Sequence, residues 1–136
     1  MSSNSNEKLK YKIVNYLENK CSNCKISKKT YGTFIRGFHI CSPINICLAM
    51  LYVPKLMCII FIIILLFLLL FFYMFDGCIL TMLERKLCGD NFTFIDPILE
   101  YNNLELNSKN RYNVSIKVAL GYLSIMILIF IFRFLI

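Results

Sequence analysis

The sequence predicts an all-α integral membrane protein with three transmembrane helices and short amphipathic interfacial helices. Three observations predict it. Fifty-eight per cent of the 136 residues are hydrophobic and only 17% are charged, below the roughly 25% of an ordinary soluble domain. Residues 56–75, LMCIIFIIILLFLLLFFYMF, hold no charge, and a run of that length matches a hydrocarbon core of about 30 Å. Residues 118–136, VALGYLSIMILIFIFRFLI, form a second long apolar run. A single domain of this size cannot bury so much apolar surface within itself, which excludes an ordinary water-soluble domain.

The amino-terminal part, residues 1–30, is basic: Lys8, Lys10, Lys12, Lys20, Lys25, Lys28 and Lys29 stand against Glu7 and Glu18. Clustered lysines beside apolar spans mark the cytosolic side and attract anionic lipid headgroups. Nucleic acid is not the expected partner. The opening MSSNSNEKLK has no adjoining apolar core, so no signal peptide is expected and the amino terminus should stay in the cytosol. Within residues 8–20, Leu9, Ile13, Tyr16 and Leu17 recur at helical spacing. They predict a basic amphipathic helix lying on the membrane, with Asn6 as its cap. Residues 21–30, CSNCKISKKT, read as a polar linker.

Residues 34–53, FIRGFHICSPINICLAMLYV, are the first expected span. Twenty helical residues reach about 30 Å. Arg36 and His39 lie near its start, and Pro43 predicts a kink, because proline removes a backbone donor and crowds the preceding turn. Pro54-Lys55 makes a tight turn into residues 56–75. Residues 118–136 are the third span, with Arg133 near enough to its end to snorkel.

Residues 76–117 form the expected cytosolic loop. Asp76 and Gly77 end the apolar run, and CILTMLERKL continues as an interfacial helix. Leu80, Leu83 and Leu87 should dip into the membrane, with Glu84 and Arg85 on the polar side. Thr81 can bond back to a helical carbonyl. Asp96-Pro97 resembles a helix start, and residues 107–113 a polar turn. Arg85, Lys86, Lys109, Arg111 and Lys117 favour the cytosolic side for this loop, with the carboxyl terminus opposite. Two N-glycosylation patterns, NFT at Asn91 and NVS at Asn113, point the other way. They would fit two spans, with residues 34–53 re-entrant.

Candidate interaction residues follow from this layout. Antiparallel packing of the first two spans brings Arg36 near Asp76, an ion pair that would staple the hairpin. His39 lies one turn deeper and is an intramembrane polar group. Seven cysteines are present. Free thiols are the leading expectation; the alternatives are disulfides and zinc held by Cys21, Cys24, Cys78 and Cys88. No paired carboxylates sit in mid-span, and neither a nucleophile–base pair nor a phosphate loop is visible. No catalytic residue and no cofactor are therefore expected. The reading is a structural or accessory multi-pass membrane protein, partnered by the lipid bilayer and by a membrane protein or a second copy of itself. The alternative is a small metal-binding, redox or transport subunit using His39, Arg36 and the cysteines.

GCILTMLE, residues 77–84, resembles a Cys-x-Leu-Thr-x-Leu-Glu segment in a family of small uncharacterised multi-pass bacterial membrane proteins. The longer pattern of IRGFHICSP, LERKLCGDNFTFIDPILE and NRYNVSI before a final apolar run is similar to uncharacterised membrane proteins of giant DNA viruses. That likeness covers most of residues 31–136. It implies a host or virion membrane and a recurring element containing Cys78, Thr81 and Glu84, to which His39 and Asp96 could belong. It implies no activity.

Overall fold

Helix is the only regular secondary structure among the described residues of the computed structural model, 3–22 and 27–135, with side chains described for 7–21 and 27–135. Six helices follow in order: α1 (Ser3–Ser22), α2 (Lys28–Met50), α3 (Lys55–Met74), α4 (Ile79–Cys88), α5 (Asp96–Tyr101) and α6 (Ser108–Phe134). Cys24 and the expected Asn6 cap lie outside the described side chains. The chain divides into two compact units.

The first unit comprises Met1–Ile40 and Phe71–Phe94. Its core is a seam between α1 and α4. Val14, Leu83 and Leu87 are buried, and Leu17, Cys21, Tyr31 and Ile35 pack against them. On α1 the inward residues Lys10, Val14, Leu17 and Cys21 fall three and four apart, as one helical face requires. The expected membrane stripe is displaced: Leu9 and Tyr16 are exposed, and Val14 is buried. A second amphipathic helix competes with lipid for the same apolar face. Thus Leu83 and Leu87, expected to dip into the membrane, pack on α1 instead.

The end of α3 is shaped by two residues outside ordinary backbone space. Asp76 has φ 47° and Gly77 φ 129°. Gly77 N–H reaches back to Phe72 O at 3.0 Å, the long bond of a left-handed helix stop. Lys10 Nζ then donates to Phe75 O at 2.9 Å and Asp76 O at 3.3 Å. A cation at the carbonyl end of a helix is favoured by the helix dipole. That ends the greasy run cleanly before Cys78.

The second unit comprises Cys41–Leu70 and Ile95–Ile136. Met50, Cys58 and Met126 are buried at its centre, flanked by Ile46, Phe61, Ile62 and Ile129. Tyr122 donates its hydroxyl to Pro43 O at 3.0 Å. Arg133 Nη1 donates to the carbonyls of Met50 and Val53. Residue numbers rise together on the two helices, so α6 runs parallel to this half of α2, with α3 antiparallel between their ends. Arg133 therefore does not snorkel alone; it closes the open carbonyls at the α2 terminus, which have no intrahelical donors. Cys58 Sγ adds a bond to Met50 O at 3.6 Å. Asp96, buried at the start of α5, accepts from Arg111 Nε at 2.8 Å and Nη2 at 2.9 Å.

Several boundaries differ from expectation. α2 begins at Lys28, with Ser27 Oγ accepting from Thr30 N–H at 3.2 Å. It passes through Pro43 as unbroken helix. α6 begins at Ser108, ten residues before the expected span, because Asn107 caps it by accepting from Asn110 N–H at 2.8 Å. Among the described residues two helices, α3 and α6, are long and apolar enough to cross a membrane. α2 is long enough but less apolar, since Lys28, Lys29, Arg36, His39 and Asn45 dilute it. The most apolar window of α3 is only 6% buried inside the protein.

Replacing a seam residue separates the two faces of the first unit. Leu87→Ala should cost about 2–5 kcal/mol of unfolding free energy, whereas Leu9→Ala should stay within about 0.5 kcal/mol. Denaturant titration of the full chain in detergent checks this. Equal losses would contradict the inward face assigned to α1.

Candidate functional site

One polar cluster lies inside the first unit, where α2 meets α4 in antiparallel order. Gly32 makes the meeting close. A Cβ built there would lie 2.7 Å from Cys88 Sγ and 2.9 Å from Leu87 Cβ, distances that real side chains do not tolerate. On α2, Gly32, Arg36 and His39 are four and three residues apart and share a face. The facing residues descend along α4 from Cys88 through Glu84 to its cap, Cys78.

Glu84 is the centre of the cluster. Its side chain is 1% exposed, and its Oε2 lies 3.4 Å from His39 Nδ1. Oε1 stands 3.8 Å from Arg36 Nε, within ion-pair range but beyond a hydrogen bond. Neither of those two atoms has a hydrogen-bond partner. A buried carboxylate without cations nearby would be strongly disfavoured, so Arg36 and His39 make its position tenable. Arg36 is itself fixed from outside. Its Nη2 and Nη1 reach Asp90 Oδ1 and Oδ2 at 2.7 and 3.1 Å, and its guanidinium lies 5.3 Å from the Phe92 ring centre. The hydrogen bond from Arg36 holds the Asp90 carboxyl below its ordinary value, against a smaller opposing effect of desolvation.

The other edge of the His39 ring faces Cys78, with Nε2 3.8 Å from Sγ. Phe94 packs edge-on to the ring at 5.4 Å between centres, 75° between planes. Cys78 occupies the cap position of α4 with extended backbone, φ −79° and ψ 121°. A thiol at a helix amino terminus is favoured as thiolate. Burial pushes the Cys78 thiol up; the hydrogen bond and charge of His39 and the N–H and hydroxyl of Thr81 outweigh it and hold the thiol below its ordinary value. Lys10 adds a nearby cation, its own pKa lowered chiefly by burial.

The order is thus Cys78, His39, Glu84, with the imidazole between. Sulfur and carboxylate meet opposite edges of one ring, so they do not converge on a common point. That is the geometry of proton relay. Among the described residues, no group of three or more His, Cys, Asp or Glu is placed to hold a metal ion. Six cysteines are described, all as free thiols: Cys21, Cys41, Cys47, Cys58, Cys78 and Cys88. Of the expected zinc ligands, Cys21 packs in the apolar seam, Cys88 lies against Gly32 and Cys78 against His39.

The structure brings together Arg36, His39, Cys78, Thr81 and Glu84 of the expected residues, and leaves Asp76 out. Arg36 pairs with Asp90, and Asp76 serves through its backbone oxygen. Glu84 points inward, not to the polar surface. The signal for Asp90 was its place just after the left-handed Gly89, φ 71°, that stops α4; such a stop turns the chain back toward α2. Comparison with protein-family models, curated proteins and solved structures returns no match. The described residues define an all-helical fold with two helices long and apolar enough to cross a membrane.

Alkylation of Cys78 by iodoacetamide, followed against pH and located by peptide mass spectrometry, reads the site directly. The depressed pKa keeps the thiolate populated as pH falls through the ordinary thiol value. The rate inflection should therefore lie below that value. His39→Ala should move it upward, since the largest opposing influence on burial is then lost.

Proposed function

We propose that this chain is a multi-pass integral membrane protein of accessory type, whose basic helical head sits at an anionic membrane face. One observation carries the reading: α3 exposes nearly its whole length of Leu, Ile and Phe. Apolar surface that contiguous is costly in water, while a helix satisfies all its backbone bonds in lipid. α6 supplies a second such helix.

The finer topology is three spans, with α2 crossing beside α3 and α6. Support comes from the second unit. There the carboxyl-terminal half of α2 lends Ile46, Cys47 and Met50 to a core shared with α3 and α6. Arg133 closing the carbonyls of Met50 and Val53 places the ends of α2 and α6 at one level. Three crossings put α1, α4 and α5 on one side by parity alone, with the Pro54 turn opposite. Lys8, Lys12, Lys20, Lys28 and Lys29 are exposed; on the cytosolic side they meet anionic headgroups.

Single-cysteine variants settle the count of crossings. Tyr16, Tyr52 and Tyr101 are 65%, 84% and 89% exposed, so each suits replacement by cysteine in a background lacking the native thiols. With sealed vesicles and an impermeant maleimide, Tyr16→Cys and Tyr101→Cys should label from the same side and Tyr52→Cys from the other. Labelling of Tyr16→Cys and Tyr52→Cys from one side, with Tyr101→Cys opposite, would overturn three spans in favour of two.

A further inference from the structure

We propose that Cys78 is a nucleophilic thiol that accepts a long-chain acyl group from an acyl thioester, with His39 as its proton partner. The cluster has the parts an acyl transfer needs. Cys78 supplies the sulfur. His39 Nε2, 3.8 Å away, takes the thiol proton. Glu84, nearly fully buried, holds the opposite ring nitrogen at 3.4 Å and fixes the ring between them; it is a positioning residue. The Thr81 N–H bonds the Cys78 sulfur; the N–H groups of Ile79 and Leu80 have no carbonyl acceptor within α4. They lie beside Cys78 and are suited to an oxyanion that forms there.

The acyl class follows from location and from balance. Cys78 comes four residues after Met74, the end of the most apolar helix in the chain. If α3 crosses the bilayer, the thiol lies at its rim, where the carbonyl of an amphiphilic donor also sits; this clause rests on the membrane reading above. In the reaction, Cys78 thiolate attacks the thioester carbonyl carbon and a new C–S bond forms. The donor C–S bond breaks with its electron pair on the leaving sulfur. That thiolate takes the proton held at His39 Nε2. One thioester is exchanged for another, with no oxidant or reductant.

Lys10 lies near the thiol from α1, His39 from α2 and Thr81 from α4; Glu84 reaches His39 and Asp76 acts on Lys10. Among the described residues, no carboxylate bonds the sulfur. His39 and Cys78 are both partly accessible at the rim of the cluster, so a donor can reach them without unfolding the unit.

The test uses the full chain in detergent micelles with palmitoyl-coenzyme A carrying a terminal alkyne. Adducts are located by peptide mass spectrometry and checked for release by neutral hydroxylamine. Cys78 should load at least about tenfold faster than Cys21 or Cys88 in the same molecules, an internal comparison that needs no variant. His39→Gln should slow loading about 100-fold, the lower range for loss of a general acid–base partner, while Cys88→Ser should leave it unchanged. Equal loading of all accessible cysteines, or loading that His39→Gln does not slow, would overturn the proposal. So would rapid alkylation of Cys78 with no acyl uptake. The vesicle-labelling outcome is independent of all three, so failure of the chemistry and failure of the membrane reading remain distinct.

Discussion

The apolar surface of α3 is the constraint on which the other features depend. A helix of twenty residues with almost no buried face calls for apolar matter around it, and the other five helices cover little of it. Lipid can. Once α3 is so placed, its two ends must solve a polar problem, because each leaves open carbonyl or N–H groups. At the carboxyl end the solution is Asp76 in left-handed geometry, the long bond from Gly77, and Lys10 on the last carbonyls. At the other end, Arg133 and Cys58 close the α2 terminus that precedes it.

Within the first unit, the buried Glu84 imposes a second condition. Removing a carboxylate from water is expensive, and the attraction of its partners offsets this only when they are held in place. Gly32 lets α2 approach α4 closely enough for that. Asp90 and Phe92 fix Arg36, and Phe94 fixes His39. The residues that accommodate Glu84 are the same ones that leave the His39 ring facing Cys78. Pairing of a buried charge and tuning of a thiol are here one arrangement.

Much of this was legible in the residues, in proportion to how local its cause is. The α3 helix and its apolar character follow from a single uncharged run. Helical spacing in residues 8–20 and 79–88 foretold α1 and α4, and Arg36, His39, Cys78, Thr81 and Glu84 stand out in the sequence. Their partners were not. A hairpin register pairs Arg36 with Asp76 only if both continue straight; the left-handed stop after α3 turns the chain and brings Asp90 instead. Glu84 was assigned to the surface because a lone carboxylate is usually solvated, and only the close passage of α2 reverses that. The Cys78–His39 contact joins residues 39 apart in sequence, with no spacing rule to announce it. For α1, a one-residue rotation of the inward face reflects a choice between lipid and α4 that periodicity alone does not make. α6 starts early because polar residues after an asparagine cap are no obstacle to helix.

Extraction of native membranes with alkaline carbonate tests the central claim most directly. The account predicts that the chain stays in the sedimented bilayer and leaves it only with detergent. Release into the carbonate supernatant, with the freed protein monodisperse in plain buffer, would contradict it.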